Sequence, residues 1–253
     1  MADVHALVAY ADSLLKPQLF RDYAHNGLQL SGKSNIETIV SGVSVNAELI
    51  ETAVAHQADA ILVHHGLFWD KAPGVLTGVL RDRVARLLAH DINVLAYHLP
   101  LDAHEVLGNN VLLAQAMGWQ VDRSQPLFNQ SDLLWLGYLD TVTAAEDLSL
   151  SLTRVLGQSP IHAPAGDGRA IKRLAWCTGA AQDGLEAAAA CGVDAYISGE
   201  ISERTYHLAR ELSVHYFAVG HHASETFGVQ ALGMKLAEHF GLQSIFCDIP
   251  NPI

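Results

Sequence analysis

Cysteine is scarce in this 253-residue chain: Cys177, Cys191 and Cys247 are odd in number and far apart. Such a set, among apolar neighbours, forms neither a disulfide framework nor a thiolate zinc site, and reads as buried free thiols in a reducing compartment. Basic residues are also short, with 15 Lys and Arg against 27 Asp and Glu and a formal charge of -12. That balance repels phosphate backbones and anionic lipid, which argues against a nucleic-acid or membrane-surface protein. Nucleotide binding at a metal stays compatible, because the ion brings its own positive charge. No apolar run reaches the length of a membrane span, and the first residues, Met1-Ala-Asp-Val-His-Ala6, lack the basic segment of a secretory signal. A cytoplasmic location is therefore expected. A Walker-type glycine loop, a nucleophile elbow and a Cys/His dyad are absent too, so any chemistry is expected to belong to metal ions.

Histidine, by contrast, is plentiful, with 14 residues. The apolar run Asp59-Ala-Ile-Leu-Val-His-His-Gly66 reads as a buried parallel strand, and α/β folds bind ligands just beyond the carboxyl ends of such strands. His64 and His65 sit at that end. Strand side chains alternate, so both can ligate one site only if Gly66 turns the chain. Two more apolar runs end in His98-Leu-Pro-Leu-Asp102 and His221-His-Ala-Ser-Glu225. Each places a carboxylate four residues after a histidine, a spacing that returns both side chains to one side at a helix start. Imidazole and carboxylate are donors for zinc, iron, manganese or cobalt. One such pair is weak, and each histidine alone reads equally as a core residue bonded to backbone. Three strand ends together are specific.

Other residues carry two readings. Glu200, at a strand end, is a general acid or base or a carboxylate stabilised at a helix start. His98 is a ligand or an orienting group, and the candidate proton donor. Gln29 lines a pocket or bonds backbone. Phe68 and Trp69 stack a purine or pterin ring or belong to the core. His222 follows a ligand position and faces elsewhere. His5, His56, His90, His162, His207 and His239 lie on helical or loop patterns and are expected to be ordinary.

Strand and helix patterns alternate along the chain. A polar break falls at 122–126 and a Pro/Gly-rich loop at 160–168. Sliding the chain by 135 aligns Ile36–His65 with Ile171–Glu200 without a gap, pairing Asp59 with Asp194. Sliding by 123 aligns His98–Gly118 with His221–Gly241 and pairs Asp102 with Glu225. The expectation is one unit over 1–253. It holds two related α/β halves, about 1–122 and 171–253, joined by an intervening segment about 123–170.

Asn26-Gly-Leu-Gln29, Ala60-Ile-Leu-Val-His-His-Gly66, Tyr97-His-Leu-Pro-Leu-Asp102, Tyr196-Ile-Ser-Gly-Glu200, Gly220-His-His-Ala-Ser-Glu225 and Asp248-Ile-Pro-Asn-Pro252 occur in this order across nearly the whole chain. Together they resemble the Nif3-like dinuclear-metal-centre family, whose members carry the name GTP cyclohydrolase 1 type 2 homologue. The long central insertion of some members is missing, so the chain resembles the short bacterial form. The resemblance implies an α/β fold of two related halves, with the metal site at strand carboxyl ends between them. It further implies a toroidal homohexamer and two divalent ions per subunit, zinc, iron, manganese or nickel. By position the ligands would be His64, His65, Asp102, His221 and Glu225, and His98 matches a further family histidine. The implied activity is metal-dependent hydrolysis of a nucleotide-like or phosphorylated small molecule, with His98 and Glu200 as catalytic candidates. The competing reading is a metal-binding hexamer that regulates or handles metal without catalysis.

Overall fold

The computed structural model describes residues 1–70 and 75–253. In chain order the elements are β1 (Ala2–Asp3), α1 (Val4–Leu15), β2 (Gly27–Leu30), β3 (Asn35–Ile36), β4 (Thr38–Ser44), α2 (Ala47–Ala55), β5 (Ala60–His65), α3 (Gly78–Ala89) and β6 (Asn93–Ala96). Then follow α4 (Leu99–Ala103), α5 (Asn109–Met117), β7 (Gln120–Leu127), β8 (Gln130–Thr143), α6 (Ala145–Leu156), β9 (Ile161–Ala163), β10 (Ile171–Cys177), α7 (Leu185–Ala190) and β11 (Ala195–Ser198). The chain closes with α8 (Glu203–Glu211), β12 (His215–Ala218), α9 (His221–Ser224), α10 (Thr226–Phe240) and β13 (Gln243–Phe246). Two compact α/β units result: residues 1–101 with 228–249, and residues 102–227 with 250–253. The segment 123–170 lies inside the second.

The first unit is built on the sheet β13-β4-β5-β6-β2, parallel except at β2. Ala60 to Val63 of β5 are wholly buried, as a central parallel strand covered on both faces requires. Val40, Leu49, Ile61, Val63, Leu87 and Val94 form its core, against which Phe68 also packs. Helix starts are capped by side chains that accept orphan amide protons: Asp3 for α1 and Asn46 for α2.

The second unit carries the sheet β7-β8-β10-β11-β12-β9, whose central strands β10, β11 and β12 run parallel. Trp135, Leu148, Leu152, Leu174, Trp176, Ile197 and Phe217 make its core. Strand β7 occupies the expected polar break. It is an edge strand, exposed along most of its length, so polar side chains cost it nothing. Strand β9 lies within the expected loop and pairs antiparallel with β12.

The internal echo is written in hydrogen bonds. Asp59 Oδ2 accepts from the amides of Glu37 and Thr38 at 2.8 and 3.1 Å, tying the start of β4 to the start of β5. In the other unit Asp194 Oδ2 accepts from Lys172 and Arg173 at 2.9 and 2.8 Å, the same positions displaced by 135. The backbone carbonyls of Asp59 and Asp194 then accept from Asn93 and His215, at the starts of β6 and β12. All three cysteines are free. Cys177 is buried as expected, whereas Cys191 and Cys247 are half-buried. Among the described residues no helix is long and apolar enough to cross a membrane.

Candidate functional site

In the first unit, parallel pairing sets His65 beside Ser44 and brings the end of β6 alongside Val63. His64 Nδ1 lies 2.8 Å from Tyr97 O, so that nitrogen donates and the neutral ring keeps its lone pair on Nε2. His65 Nδ1 is bonded to Ser44 Oγ at 2.8 Å. The two rings thus lean toward opposite neighbouring strands, yet their centroids are only 4.6 Å apart. Each of His64, His65 and His98 offers one nitrogen such that the three lie within 4.8 Å of one another. Like-charged imidazoliums would repel at that spacing, whereas neutral rings fit a shared cation.

His98 is fixed by a residue the sequence did not mark. Asp22 Oδ1 accepts from His98 Nδ1 at 2.9 Å, Asp22 Oδ2 accepts from the amide of Leu99 at 2.9 Å, and Ala24 and Asn26 donate to the same carboxylate. Burial raises the Asp22 pKa, but the His98 contact and these donors outweigh it and hold the group at about 2. Asp22 is therefore ionised at neutral pH and accepts the Nδ1 proton of His98, which leaves Nε2 as the nitrogen that could meet a metal ion. This carboxylate–imidazole arrangement is the usual outer partner of a metal-binding histidine. Asn26 completes the clip by accepting from the His98 amide at 2.8 Å.

The Gly66 turn has a different basis from the expected one. Gly66 needs no positive φ; a Cβ there would lie 2.3 Å from Gln29 Oε1. That side chain accepts from the amides of Leu67 and Phe68 and donates to His25 O, so Gln29 bonds backbone and braces the turn beyond the histidines.

In the second unit, His221 opens α9 and Glu225 sits at the break between α9 and α10. His221 Nε2 lies 3.1 Å from Glu225 Oε2, and Nδ1 lies 2.7 Å from Glu200 Oε1. Burial lowers the His221 pKa, but the two carboxylates overcome this and raise it to about 9. Glu200 is thus placed to orient His221 as Asp22 orients His98. Asp102, 5 % exposed, accepts from Asn109 Nδ2 at 2.8 Å and from Thr178 Oγ1 at 3.3 Å. Burial, with Asp102 and Glu225 nearby, pushes the Cys177 thiol pKa well up, so it stays protonated.

Two glycines shape this corner. At Gly179, with φ +71°, a Cβ would lie 2.2 Å from Glu225 Oε1 and 3.3 Å from His221 Nε2. At Gly199 a Cβ would meet Gly179 O and His221 Cα, each at 2.6 Å. The chain therefore carries no side chain where the first unit has His64. The donors in both units fit divalent ions. Buried carboxylates and imidazoles end at strand termini, and three of the histidines are braced through Nδ1 by Tyr97 O, Ser44 Oγ and Asp22.

Asp22 supplies one expected result. Asp22→Asn cannot hold the His98 tautomer with a charge, and loss of such a partner weakens metal binding roughly 10–100-fold. Because its folded pKa lies below the ordinary 3.8, Asp22 stabilises the fold fully above pH 3.8 and loses that contribution as pH falls through about 2. The variant should therefore be about 2 kcal/mol less stable at pH 7, with the gap narrowing toward pH 2.5 in paired urea titrations. A gap independent of pH would contradict the charge assignment.

The model of the family Duf34/NIF3 (NGG1p interacting factor 3) matches residues 2–252. A protein of Vibrio cholerae named GTP cyclohydrolase 1 type 2 homolog is 46% identical over 248 residues, 98% of each chain. One of the same name from Yersinia pestis is 48% identical over 233 residues, 92% of each chain. Among solved structures, the structural-genomics protein ybgI, of unknown function, superposes with a TM-score of 0.95 at 40% identity, covering all of both chains. With that match from end to end, and the motif residues in place within each unit, this chain belongs to the DUF34/NIF3 family.

Proposed function

We propose that this protein is a dinuclear metal-binding, metal-dependent hydrolase of a nucleotide-like or phosphorylated small molecule, its ligands being His64, His65, Asp102, His221 and Glu225. One observation carries the reading: His64, His65 and His98 offer nitrogens within 4.8 Å of one another. The shared name of the relatives supports cyclohydrolase-like ring opening as the reaction type. Divalent ions, when bound, supply Lewis-acid polarisation and acidify water near neutral pH. The chain's own residues do the rest. Tyr97 O and Asp22 hold the Nδ1 protons of His64 and His98, so that Nε2 of each ring carries the lone pair. Asp22–His98 and Glu200–His221 are the candidate proton-handling pairs. Glu200 engages His221 through Oε1, and the other oxygen, on a side chain 35% exposed, is the place to exchange a substrate proton.

Elemental analysis of protein prepared without chelator and reloaded with zinc or manganese should return close to two ions per chain. A value near zero would overturn the reading. His221 adds a pH signature. Its raised pKa makes the protonated pair with Glu200 and Glu225 stabilising below pH 6.5, and that contribution is lost as pH rises through about 9. Metal must displace this proton, so affinity should climb by about tenfold per pH unit below pH 9, with proton release measurable by calorimetry in buffers of different ionisation heat. A screen of phosphorylated and heterocyclic substrates then separates catalysis from metal handling. Turnover that needs metal and falls with His98→Gln supports the hydrolase, and full metal content without turnover on any substrate supports the non-catalytic alternative.

We also propose a homohexamer, on family membership. Light scattering should give about six chains per particle; a stable monomer at micromolar concentration would contradict it.

A further inference from the structure

Trp69 differs from the other three tryptophans. Trp119, Trp135 and Trp176 are at most 5 % exposed in the core of the second unit, whereas Trp69 is only partly buried. Its indole Nε1 donates to Gly66 O at 3.2 Å, and its backbone bridges to Ala24. The amide of Asp70 donates to Tyr23 O on one side of that bridge, and the amide of His25 to Phe68 O on the other. So anchored, the indole lies 5.3 Å from the His98 ring, edge-on at 79°, and 5.9 Å from the His65 ring. Tyr23, 54% exposed, continues the surface, with its ring 5.6 Å from Trp69 at 30° and 5.1 Å from His98. The preceding Phe68, also partly buried, packs against the core of its unit and leaves the platform role to Trp69.

We propose that Trp69, extended by Tyr23, is the platform on which this protein stacks a planar nitrogen heterocycle, a purine or pterin ring, of its small-molecule ligand. Electron-rich indole and phenol faces stack on electron-poor heterocycles, and a platform already held by backbone bonds loses little entropy on binding. Asp70 and His25, 3.8 Å apart at the rim, offer an acceptor and a donor to the polar edge of such a ring. A ring stacked here has its substituents within one ring width of the imidazoles of His65 and His98. This last step rests on the hydrolase reading; the platform lies within a single unit and does not.

The other tryptophans are buried, so quenching of intrinsic fluorescence by a stacked ring reports on Trp69. Guanosine, adenosine and pterin should quench the emission saturably, and ribose should not. By calorimetry, Trp69→Phe should keep the affinity within about threefold, and Trp69→Leu and Tyr23→Leu should weaken it by about tenfold or more. Metal content is measured on each sample, so a variant disturbed through its lost bond to Gly66 is recognised and Tyr23→Leu decides in its place. Absence of quenching by all three heterocycles, or unchanged affinity in Trp69→Leu, would overturn the platform. If the protein holds no metal, the hydrolase reading falls, and quenching in that same sample still decides the platform.

Discussion

Glu225→Ala and His65→Ala proteins, reloaded with zinc beside the parent, should retain less than half of its metal after desalting and show circular dichroism of an unchanged α/β fold. Loss of an outer partner of a ligand costs about 10–100-fold in affinity, and loss of the ligand itself should cost more. The fold should survive because neither residue belongs to the cores of the two units. Glu225→Ala also removes one of the two carboxylates paired with His221, so a loss of stability at neutral pH is expected, limited because His221 keeps Glu200 as partner. His221 would then titrate closer to its ordinary value. If both variants unfolded while exposed substitutions were harmless, the two residues would be structural rather than metal-binding.

Gly179→Ala should combine a measurable loss of stability with a loss of metal. A non-glycine residue at φ +71° costs about 1–2 kcal/mol, which for a chain of this size lowers the melting temperature by roughly 2–8 °C. The new Cβ would also lie 2.2 Å from Glu225 Oε1, so the carboxylate must move away from its place beside His221 Nε2. Gly157→Ala is the matched control. Its φ is +77° and no atom lies within 4 Å of the added Cβ, so it should pay the same strain and keep its metal. Equal metal content in the two variants would show that the approach of Gly179 to Glu225 is irrelevant to binding.

Most of the scaffold was legible because its central parallel strands are apolar runs of four to seven residues closed by polar or glycine signals, and helices α1 and α2 start at the side-chain caps Asp3 and Asn46. What escaped were elements with no such pattern. Strand β7 is polar because it lies on an edge, and Pro126 within it reads as a stop. Candidate donors could be named, since histidines and carboxylates at strand ends are visible in one dimension. Their supports could not. Asp22 is 76 residues from His98, and nothing in Arg21-Asp-Tyr23 announces a buried carboxylate with four donors. Gly179 looks like any glycine after a strand until Glu225 is seen against it. Gly66 was marked for its backbone freedom, and its actual constraint is the Gln29 side chain.

The paired clips of Asp59 and Asp194 have a consequence for how this molecule can change. Both lie at the amino ends of the parallel strands, and the donor residues of each unit lie at the carboxyl ends. The clips join strand starts about a strand length from the histidines, so substitutions at Asp59 or Asp194 are expected to change thermal tolerance with little effect on the candidate donors.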